Sequence, residues 1–181
     1  MEDNLPVGRA RKTFDDRVAA IERRWRVVLP DLDPSPLLVI GRISRLAVLV
    51  EVLLRPPFAA AGLASGDFDL LAALRRQDPP HELSPGALAT AMLVTTGGTT
   101  KRIDRLEAQH LVARRVSTTD GRARVVALTD AGRELVDELI PIHLANEAAL
   151  LAALTPTQRR QLAQLLGSLA RTLEPPEGAR R

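Results

Sequence analysis

The side chains with the greatest chemical capacity are concentrated between residues 95 and 128, where cations, hydroxyls and carboxylates lie close together. Seven Lys and Arg residues and three Asp and Glu residues give this segment a net charge of +4, whereas the whole chain carries +3. Cations confined to one segment are suited to binding a polyanion, because each phosphate that they neutralise releases counterions from a duplex. A solvated, salt-bridged helix is the alternative. It accounts for Asp104 and Glu107 better than for the arginines further along.

The elements that must position these groups have the order of a winged helix. A basic helix is expected to begin at Thr95 or Thr96, whose hydroxyl can accept hydrogen bonds from free backbone amides. Helical spacing places one set of its side chains on an inner face: Thr99, Ile103, Leu106 and His110. The opposite face is formed by Thr100, Lys101, Arg105 and Gln109. Two alternating runs follow on either side of Asp120-Gly121, which predicts a β-hairpin, the wing.

A second helix is predicted immediately before the basic one. Ser84 is a capping residue and Pro85 suits the first helical position, so a helix is expected over 85–93. The pair forms a helix-turn-helix, whose second helix would lie in the major groove with its N-terminal residues toward the base edges. The candidate DNA contacts on it are Thr95, Thr96, Thr99, Thr100, Lys101 and Arg105. Gly97 and Gly98 either allow close approach of the backbone or only weaken the helix start.

The hairpin supplies a second set of candidate DNA contacts: Asp120, Arg122 and Arg124. Arg122 follows the turn and would project from the tip, where an arginine can enter the narrow minor groove. Asp120 would hold this arginine in place. In the alternative, Asp120 only forms the turn and Arg122 is solvated, but the adjacent basic helix favours DNA binding.

Composition limits the other functions open to the chain. Its 181 residues, 45% of them hydrophobic, suffice for a sizeable core, and the lack of cysteine excludes disulfides, Cys-based zinc sites and thiol redox sensing. No signal peptide or membrane-spanning run is found, so we expect no membrane contact and a cytoplasmic location. We expect neither an enzyme nor a cofactor, because no catalytic motif appears and the histidines are far apart: His81, His110 and His143.

Apolar periodicity predicts helices before the winged helix. The first ends before Pro30, and a strongly apolar second helix covers about 36–54 until Pro56 and Pro57 interrupt it. A short third helix opens after Ser65. Its inward residues are predicted to be Phe68, Leu71 and Leu74.

Two more helices are predicted after the wing. Thr129 caps one, on which five residues fall near one face: Leu135, Leu139, Ile142, Asn146 and Ala149. Thr155 and Gln158 match a capping box for the last, with apolar residues at Leu162, Leu165, Leu166, Leu169 and Leu173. A winged helix cannot cover so many apolar helices alone, so they are expected to pair two subunits. A two-fold dimer would separate two recognition helices by about 34 Å and predicts a palindromic operator.

The predicted fold class is mainly α with a small β-hairpin: a winged helix-turn-helix with N- and C-terminal dimerisation helices. A flexible basic arm is expected over 1–12, and N-terminal helices for dimerisation and ligand binding over 13–64. The DNA-binding domain is expected over 65–130, C-terminal dimerisation helices over 131–175 and a flexible tail over 176–181. An architectural or protein-binding helical module is the alternative of another class. It would show neither sequence preference nor a ligand response.

The motifs of this chain resemble those of the MarR family of bacterial transcription regulators. The matching runs are Leu93-Val94-Thr95, KRIDRLE at 101–107, Leu111-Val112, Asp120-Gly121-Arg122 and ALTDAG at 127–132. The resemblance implies a homodimer joined by its N- and C-terminal helices, with one winged helix on each subunit. It also implies repression that a small molecule relieves.

A narrower similarity is to the urate-responsive subgroup of this family. It is carried by Trp25, the PDLD run at 30–33 and Phe68-Asp69-Leu70. This resemblance implies a ligand site formed by Trp25, Asp69, Arg102 and Arg114. Two guanidiniums suit a flat anion such as urate or a similar purine, and an indole offers a wide face with one donor. A tricarboxylate such as citrate is the alternative ligand, since the same arginines would serve it.

Each of these four residues also has a structural explanation. Trp25 could be a packing residue, Asp69 and Arg102 could form an ion pair, and Arg114 could contact phosphate. Because Arg102 belongs to the predicted recognition helix, a ligand that moved it would also move the DNA contacts.

Overall fold

The computed structural model describes residues 16–92, 98–117, 121 and 124–174. The chain divides into two compact units, residues 1–52 and residues 53–181. The described residues contain seven helices and a three-stranded antiparallel sheet. The predicted class, mainly α with a small β-element, is confirmed.

The first unit contains one complete helix and the beginning of a second: α1 (Arg17–Val28) and α2 (Leu37–Ala60). Asp16 caps α1 by accepting hydrogen bonds from amides of the first turn, and the helix ends before Pro30 as predicted. Asp16 also accepts a hydrogen bond from Nε of Arg42 at 2.9 Å, which ties α1 to α2.

α2 continues through Pro56 and Pro57, so the predicted interruption at these residues is wrong. A proline removes its own backbone donor but leaves its carbonyl able to accept a hydrogen bond. The carbonyl of Pro57 accepts from the amide of Ala61 at 3.1 Å. The chain turns only at Gly62, whose φ of 74° suits the end of a helix.

The second unit combines short helices, the sheet and two longer helices. Their bounds are α3 (Asp67–Arg75), β1 (Glu82–Leu83), α4 (Pro85–Ala91), α5 (Thr99–Ala108), β2 (Val112–Val116), β3 (Arg124–Leu128), α6 (Asp130–Leu150) and α7 (Pro156–Leu173). Phe68, Leu71 and Leu74 of α3 are buried, as predicted. They belong to one apolar core with Leu70, Leu88, Leu106, Val112, Val126 and Val136.

The sheet has the strand order β1-β3-β2. β2 and β3 form the predicted hairpin, in which Val116 lies opposite Arg124. The sequence pattern does not predict β1, because two residues are too few to show the alternation of a strand. β1 pairs with β3 and places Glu82 opposite Ala127.

α5 begins at Thr99 instead of at Thr95 or Thr96. The residue before its first turn is Gly98, and glycine has a low helix propensity, so the helix starts after the glycine pair. Residues 93–97, which include both predicted capping threonines, lie outside the described part of the chain. At the other end His110 is exposed, because it follows the last turn of α5 with φ of 57°.

The first turn of α6 lies very close to the end of α5. Thr129 caps α6 as predicted, since its Oγ1 accepts from the amide of Gly132 at 3.0 Å. A Cβ on Gly132 would lie 1.9 Å from the carbonyl oxygen of Leu111, so only glycine fits there. This contact sets the rotation of α6. Its buried residues are Gly132, Val136 and Leu139. Of the five residues predicted to share one face, Leu139 is buried, Leu135 packs against the core and Ile142 is exposed.

α7 has the predicted capping box. The amide of Thr155 donates to Oε1 of Gln158 at 2.8 Å, and the amide of Gln158 donates to Oγ1 of Thr155 at 3.3 Å. No residue of α7 is buried, although its leucines share one face. Across the described ranges, no helix combines the length and apolar character needed to cross a membrane.

Candidate nucleic-acid interface

α4 and α5 are the consecutive helices of the predicted helix-turn-helix. The hydroxyl of Ser84 caps α4 as predicted, by accepting from a first-turn amide at 3.1 Å. Ile103 and Leu106 bury one face of α5 in the core. The opposite face is directed toward solvent, where Thr100 and Lys101 are exposed.

Thr99 is on the buried side of α5. It is 5% exposed, and its hydroxyl has no hydrogen-bond partner among the described residues. Helical spacing explains this position, because Thr99 shares its face with Ile103 and Leu106. The burial argues against the predicted DNA contact of Thr99, which belongs with the core.

Arg105 ties α5 to α3. Its Nε donates to Oδ2 of Asp67 at 2.8 Å, and its Nη2 donates to Oδ1. Asp67 is completely buried, and its Oδ2 also accepts from the amide of Ala64 at 2.9 Å. The hydrogen bond to Asp67 raises the pKa of Arg105 further above its usual value. Two donors of Arg105 are therefore engaged within the protein, and its predicted DNA contact stays a prediction.

Arg114 ties β2 to α5. Its guanidinium contacts both Asp104 and Glu107, and its backbone amide donates to Oε1 of Glu107 at 3.0 Å. The hydrogen bond to Asp104 is the main cause that raises the pKa of Arg114, and the amide of Arg114 lowers the pKa of Glu107. These contacts hold the first strand of the wing against the recognition helix.

A third charged cluster joins β1 to the end of β2. Glu82 accepts from Nη2 of Arg115 at 3.0 Å, and Ser117 Oγ donates to its Oε1 at 2.9 Å. The Glu82 side chain is only 8% exposed. Sequence reasoning missed this cluster, because nothing in a two-residue strand identifies Glu82 as a partner of the wing.

Two predicted DNA contacts are exposed cations: Lys101 on α5 and Arg124 on β3. Neither forms an ion pair with a residue in the described ranges. Three other arginines of the basic segment are paired with carboxylates: Arg105, Arg114 and Arg115. Charge counting along the sequence therefore overestimates the cations that are available to phosphates.

Four of the predicted contacts lie outside the described residues: Thr95, Thr96, Asp120 and Arg122. The pairing of Val116 with Arg124 leaves residues 117–123 to join the two strands, so the predicted Asp120-Gly121 turn falls in this connection. The roles of these four residues stay predictions.

Trp25, the first predicted ligand contact, belongs to the first unit and is 45% exposed. It lines a groove of about 260 Å³ together with Leu29, Leu32, Asp33, Pro34 and Leu37. Asp33 accepts hydrogen bonds from the amide and hydroxyl of Ser35, and the hydroxyl is the main cause that lowers the pKa of Asp33. The groove is therefore apolar with a negative edge, and Trp25 is not a fully packed core residue.

The other predicted ligand contacts belong to the second unit. Asp69 is exposed, and no ion pair between Asp69 and Arg102 is present in the part of the chain described. The guanidinium of Arg102 lies against Gly66, where an added Cβ would be 2.4 Å from Cζ. Nη1 of Arg102 is buried and has no hydrogen-bond partner among the described residues. Arg114 is engaged by the two carboxylates of α5, as described above.

The sequence pattern that defines the MarR family matches residues 61–123. The HTH-type transcriptional regulator PecS of Dickeya dadantii (strain 3937) is 34% identical over 156 residues, which are 86% of this chain and 94% of PecS. This chain belongs to the MarR family. It is therefore a DNA-binding transcriptional regulator of the MarR type.

Solved MarR structures have the same winged helix-turn-helix fold. Sco3205 of Streptomyces coelicolor, a MarR family transcriptional regulator in complex with DNA, is 27% identical, with a TM-score of 0.69 over 80% of this chain and 91% of Sco3205. BpsR of Bordetella bronchiseptica, whose DNA binding is regulated by 6-hydroxynicotinic acid, is 25% identical. Its TM-score is 0.64 over 73% of this chain and 92% of BpsR. The predicted fold of this MarR protein is thereby confirmed.

Proposed function

We propose that this MarR protein is a repressor that binds a palindromic operator as a homodimer and is released by a small anion such as urate. The observation that carries the proposal is the pair of exposed cations, Lys101 on α5 and Arg124 on β3. β3 pairs with β2, and Arg114 ties β2 to α5. A helix and a hairpin held in this way can contact the major groove and the adjacent backbone at the same time.

Contacts to DNA are assigned first to the outward face of α5. Thr100 and Lys101 are exposed there, one able to hydrogen-bond a base edge or phosphate and the other to neutralise a phosphate. Arg124 lies where β3 begins, next to the connection that contains the predicted contacts Asp120 and Arg122. Thr95 and Thr96 precede α5 and remain candidates for the base edges.

The apolar faces of the long helices support a homodimer. α7 has no buried residue, and Leu165 and Leu173 are 70% and 71% exposed. On α2, Leu46 and Leu53 are each 56% exposed. An exposed apolar stripe of this length is unfavourable in water, and a two-fold related copy would cover it with its own stripe. Two-fold symmetry in the protein then favours a palindromic operator.

The ligand proposal depends on Arg102. Nη1 of Arg102 is buried and has no hydrogen-bond partner among the residues that the structure describes. An anion that accepts from this nitrogen would offset the cost of leaving it unpaired. Arg102 follows Lys101 on α5, so a ligand that moved Arg102 would disturb the DNA-binding face. The regulation of BpsR by 6-hydroxynicotinic acid, a flat heteroaromatic acid, supports the same class of ligand here. Trp25, Asp69 and Arg114 are the further proposed contacts.

The test is fluorescence anisotropy of the protein on a duplex from upstream of its own gene, titrated separately with urate and with citrate at matched ionic strength. Matching is needed because salt alone releases DNA. Saturable release by urate but not by citrate supports the urate assignment, and the reverse supports a tricarboxylate. Specific DNA binding that neither anion disturbs would support a DNA-binding regulator but contradict both proposed ligands.

Variants separate the ligand contacts from general effects of charge. Arg102→Met keeps the apolar stem and should raise the half-releasing urate concentration by about tenfold or more. Arg160→Met removes the same charge from an exposed position on α7 and should leave that concentration unchanged. Trp25→Phe and Asp69→Asn test the other contacts in the same way, each relative to its own DNA affinity without ligand.

A further inference from the structure

We propose that Glu82 is a positioning residue that fixes the wing for DNA recognition through Arg115 and Ser117. It is not expected to touch DNA itself. The inference rests on the proposed wing contact of Arg124. Glu82 is placed on β1, the strand that the sequence pattern does not predict, and it acts on the opposite edge of the sheet.

The register of the sheet brings Glu82 to the wing. Glu82 lies opposite Ala127 on β3, and Ala127 lies opposite Ala113 on β2. Residues paired in this way share one face of a sheet, as do residues two apart on a strand, so Arg115 is on the same face. The small side chain of Ala127, which is 1% exposed, lets the long side chains of Glu82 and Arg115 meet across β3.

Glu82 holds the last part of β2 before the wing connection. Its Oε2 accepts from Nε of Arg115 at 3.2 Å and from Nη2 at 3.0 Å, and its Oε1 accepts from Ser117 at 2.9 Å. Ser117 is the first residue after β2 and is only 7% exposed. Both carboxylate oxygens are thus used to fix the point from which the wing departs.

The Glu82 side chain and Ser117 are largely shielded from solvent, whereas the Arg115 side chain is 39% exposed. Charge-assisted hydrogen bonds are stronger than neutral ones, and a buried carboxylate that loses its partners is unfavourable. Arg115 and Ser117 therefore have one strongly preferred arrangement. Val116 lies between these two residues in the chain and pairs with Arg124, so the Glu82 contacts fix the backbone to which Arg124 is paired.

Electrostatics and positioning predict opposite results when the charge of Glu82 is removed. Removal of a carboxylate from a basic surface raises the attraction to every duplex. A loss of wing geometry instead weakens binding to the operator alone, because binding to scrambled DNA does not depend on a fixed contact. The ratio of operator to scrambled affinity therefore reports positioning, and simple unfolding would lower both affinities together.

The experiment compares Glu82→Gln with wild type on an operator duplex from upstream of its own gene and on a scrambled duplex of the same length and composition. We expect operator affinity to fall by roughly five- to tenfold while affinity for the scrambled duplex is equal or higher. Asp137→Asn is the matched control, because it breaks the ion pair between Arg75 and Asp137, which joins α3 to α6 away from the wing. An unchanged specificity ratio for Glu82→Gln, or an equal fall for Asp137→Asn, would overturn the proposal.

A double-mutant cycle with Arg124→Ala tests whether Glu82 acts through the wing. In the Arg124→Ala background, Glu82→Gln should reduce operator affinity less than about twofold further, because the contact that it positions is already absent. If the effects of Glu82→Gln and Arg124→Ala on the free energy of operator binding were fully additive, the proposal would be overturned. If Arg124→Ala alone leaves operator affinity unchanged, the proposed wing contact of Arg124 fails, and Glu82 is then judged by its specificity ratio.

Ser117→Ala provides a second variant, which removes the hydrogen bond from Ser117 to Glu82 and no charge. We expect it to lower the specificity ratio by about two- to threefold with little change in the melting temperature. The test therefore remains decisive if Glu82→Gln does not fold. A Ser117→Ala protein with the wild-type ratio would contradict the inference.

Discussion

α3 and α7 use their leucines in opposite ways. The three leucines of α3 are completely buried: Leu70, Leu71 and Leu74. In α7 the leucines share one face, yet none is buried. Both helices have apolar periodicity, so the pattern identifies an apolar face without saying what covers it. The apolar face of α3 is therefore covered by other residues of the same chain, whereas that of α7 is left exposed. We propose that a second copy of the chain covers the apolar face of α7.

Charged residues differ in the same way. Asp67 is buried, the Glu82 side chain is only 8% exposed, and both hold arginines of the winged helix in place, whereas Lys101 and Arg124 are exposed. The inward set keeps α3, α5 and the sheet together. The outward set is available to a partner, which the MarR family indicates is DNA.

The largest expected effect is a loss of stability when a buried leucine of α3 is truncated. Leu71→Ala should lower the free energy of unfolding by about 2–5 kcal/mol, because a completely buried side chain is lost and a cavity remains. Urea denaturation measures this change. Leu71→Met is the matched control and should cost less than about 1.5 kcal/mol, since it preserves volume. A loss under about 1 kcal/mol for the alanine variant would mean that α3 is not part of the core.

A charge introduced among the exposed leucines of α7 tests whether this face forms the interface between two copies. Leu165→Glu should weaken self-association on the order of 100-fold, because a carboxylate cannot be buried in an apolar interface without a large cost. Sedimentation velocity over a range of concentrations measures the dissociation constant. Gln164→Glu adds the same charge on the side of α7 that faces away from the leucines. The dissociation constant of this variant should equal that of wild type. Equal association of all three proteins would remove α7 from the interface.

Thr99 and Thr100 provide the same comparison within α5. Thr99→Val should raise the free energy of unfolding by about 1 kcal/mol and leave operator affinity unchanged, because it removes a buried hydroxyl that has no partner in the described part of the chain. Thr100→Val should reduce operator affinity about fivefold, with no change in stability. Urea denaturation and anisotropy measure the two quantities. The assignment of inner and outer faces would be wrong if the two variants exchanged these effects.

The smallest expected effect concerns the link between α5 and β2. The amide of Arg114 holds the pKa of Glu107 below its usual value of 4.5. Since the folded pKa is lowered, this contact stabilises the protein above pH 4.5 and is lost as the pH falls through the lowered pKa. Melting temperatures from pH 7 to pH 3 should therefore fall more for wild type than for Glu107→Gln. Parallel curves would indicate that the contact adds nothing to stability.

The sequence predicted the parts of the fold that local chemistry specifies. The caps at Ser84, Thr129 and Thr155 are confirmed, and so is the hairpin after α5. Each depends on residues close together in the chain, where capping hydroxyls and strand alternation are visible in the pattern. The continuation of α2 through Pro56 and Pro57 was not predicted, because prolines are usually found at helix ends. The last turn of α2 forms because the carbonyl of Pro57 still accepts a hydrogen bond from the amide of Ala61.

The missed parts depend on residues far apart in the chain. Asp67 is 38 residues from Arg105, and Glu82 is 33 residues from Arg115. Nothing in the sequence pattern indicates which of several carboxylates reaches a given arginine. The burial of Gly132 in α6 was not predicted for a related reason, since it depends on the close approach of Gly132 to Leu111, outside its own helix.

We propose above all that α5 and the wing recognise a palindrome. Selection of bound duplexes from a random pool by the purified protein, followed by sequencing, tests it most directly. We predict one enriched palindromic motif with half-sites about 10 base pairs apart, centre to centre, and lower enrichment of it for Thr100→Val, which removes a hydroxyl proposed to contact a base edge. A pool that is retained without any enriched motif would contradict the account and favour an architectural DNA-binding protein.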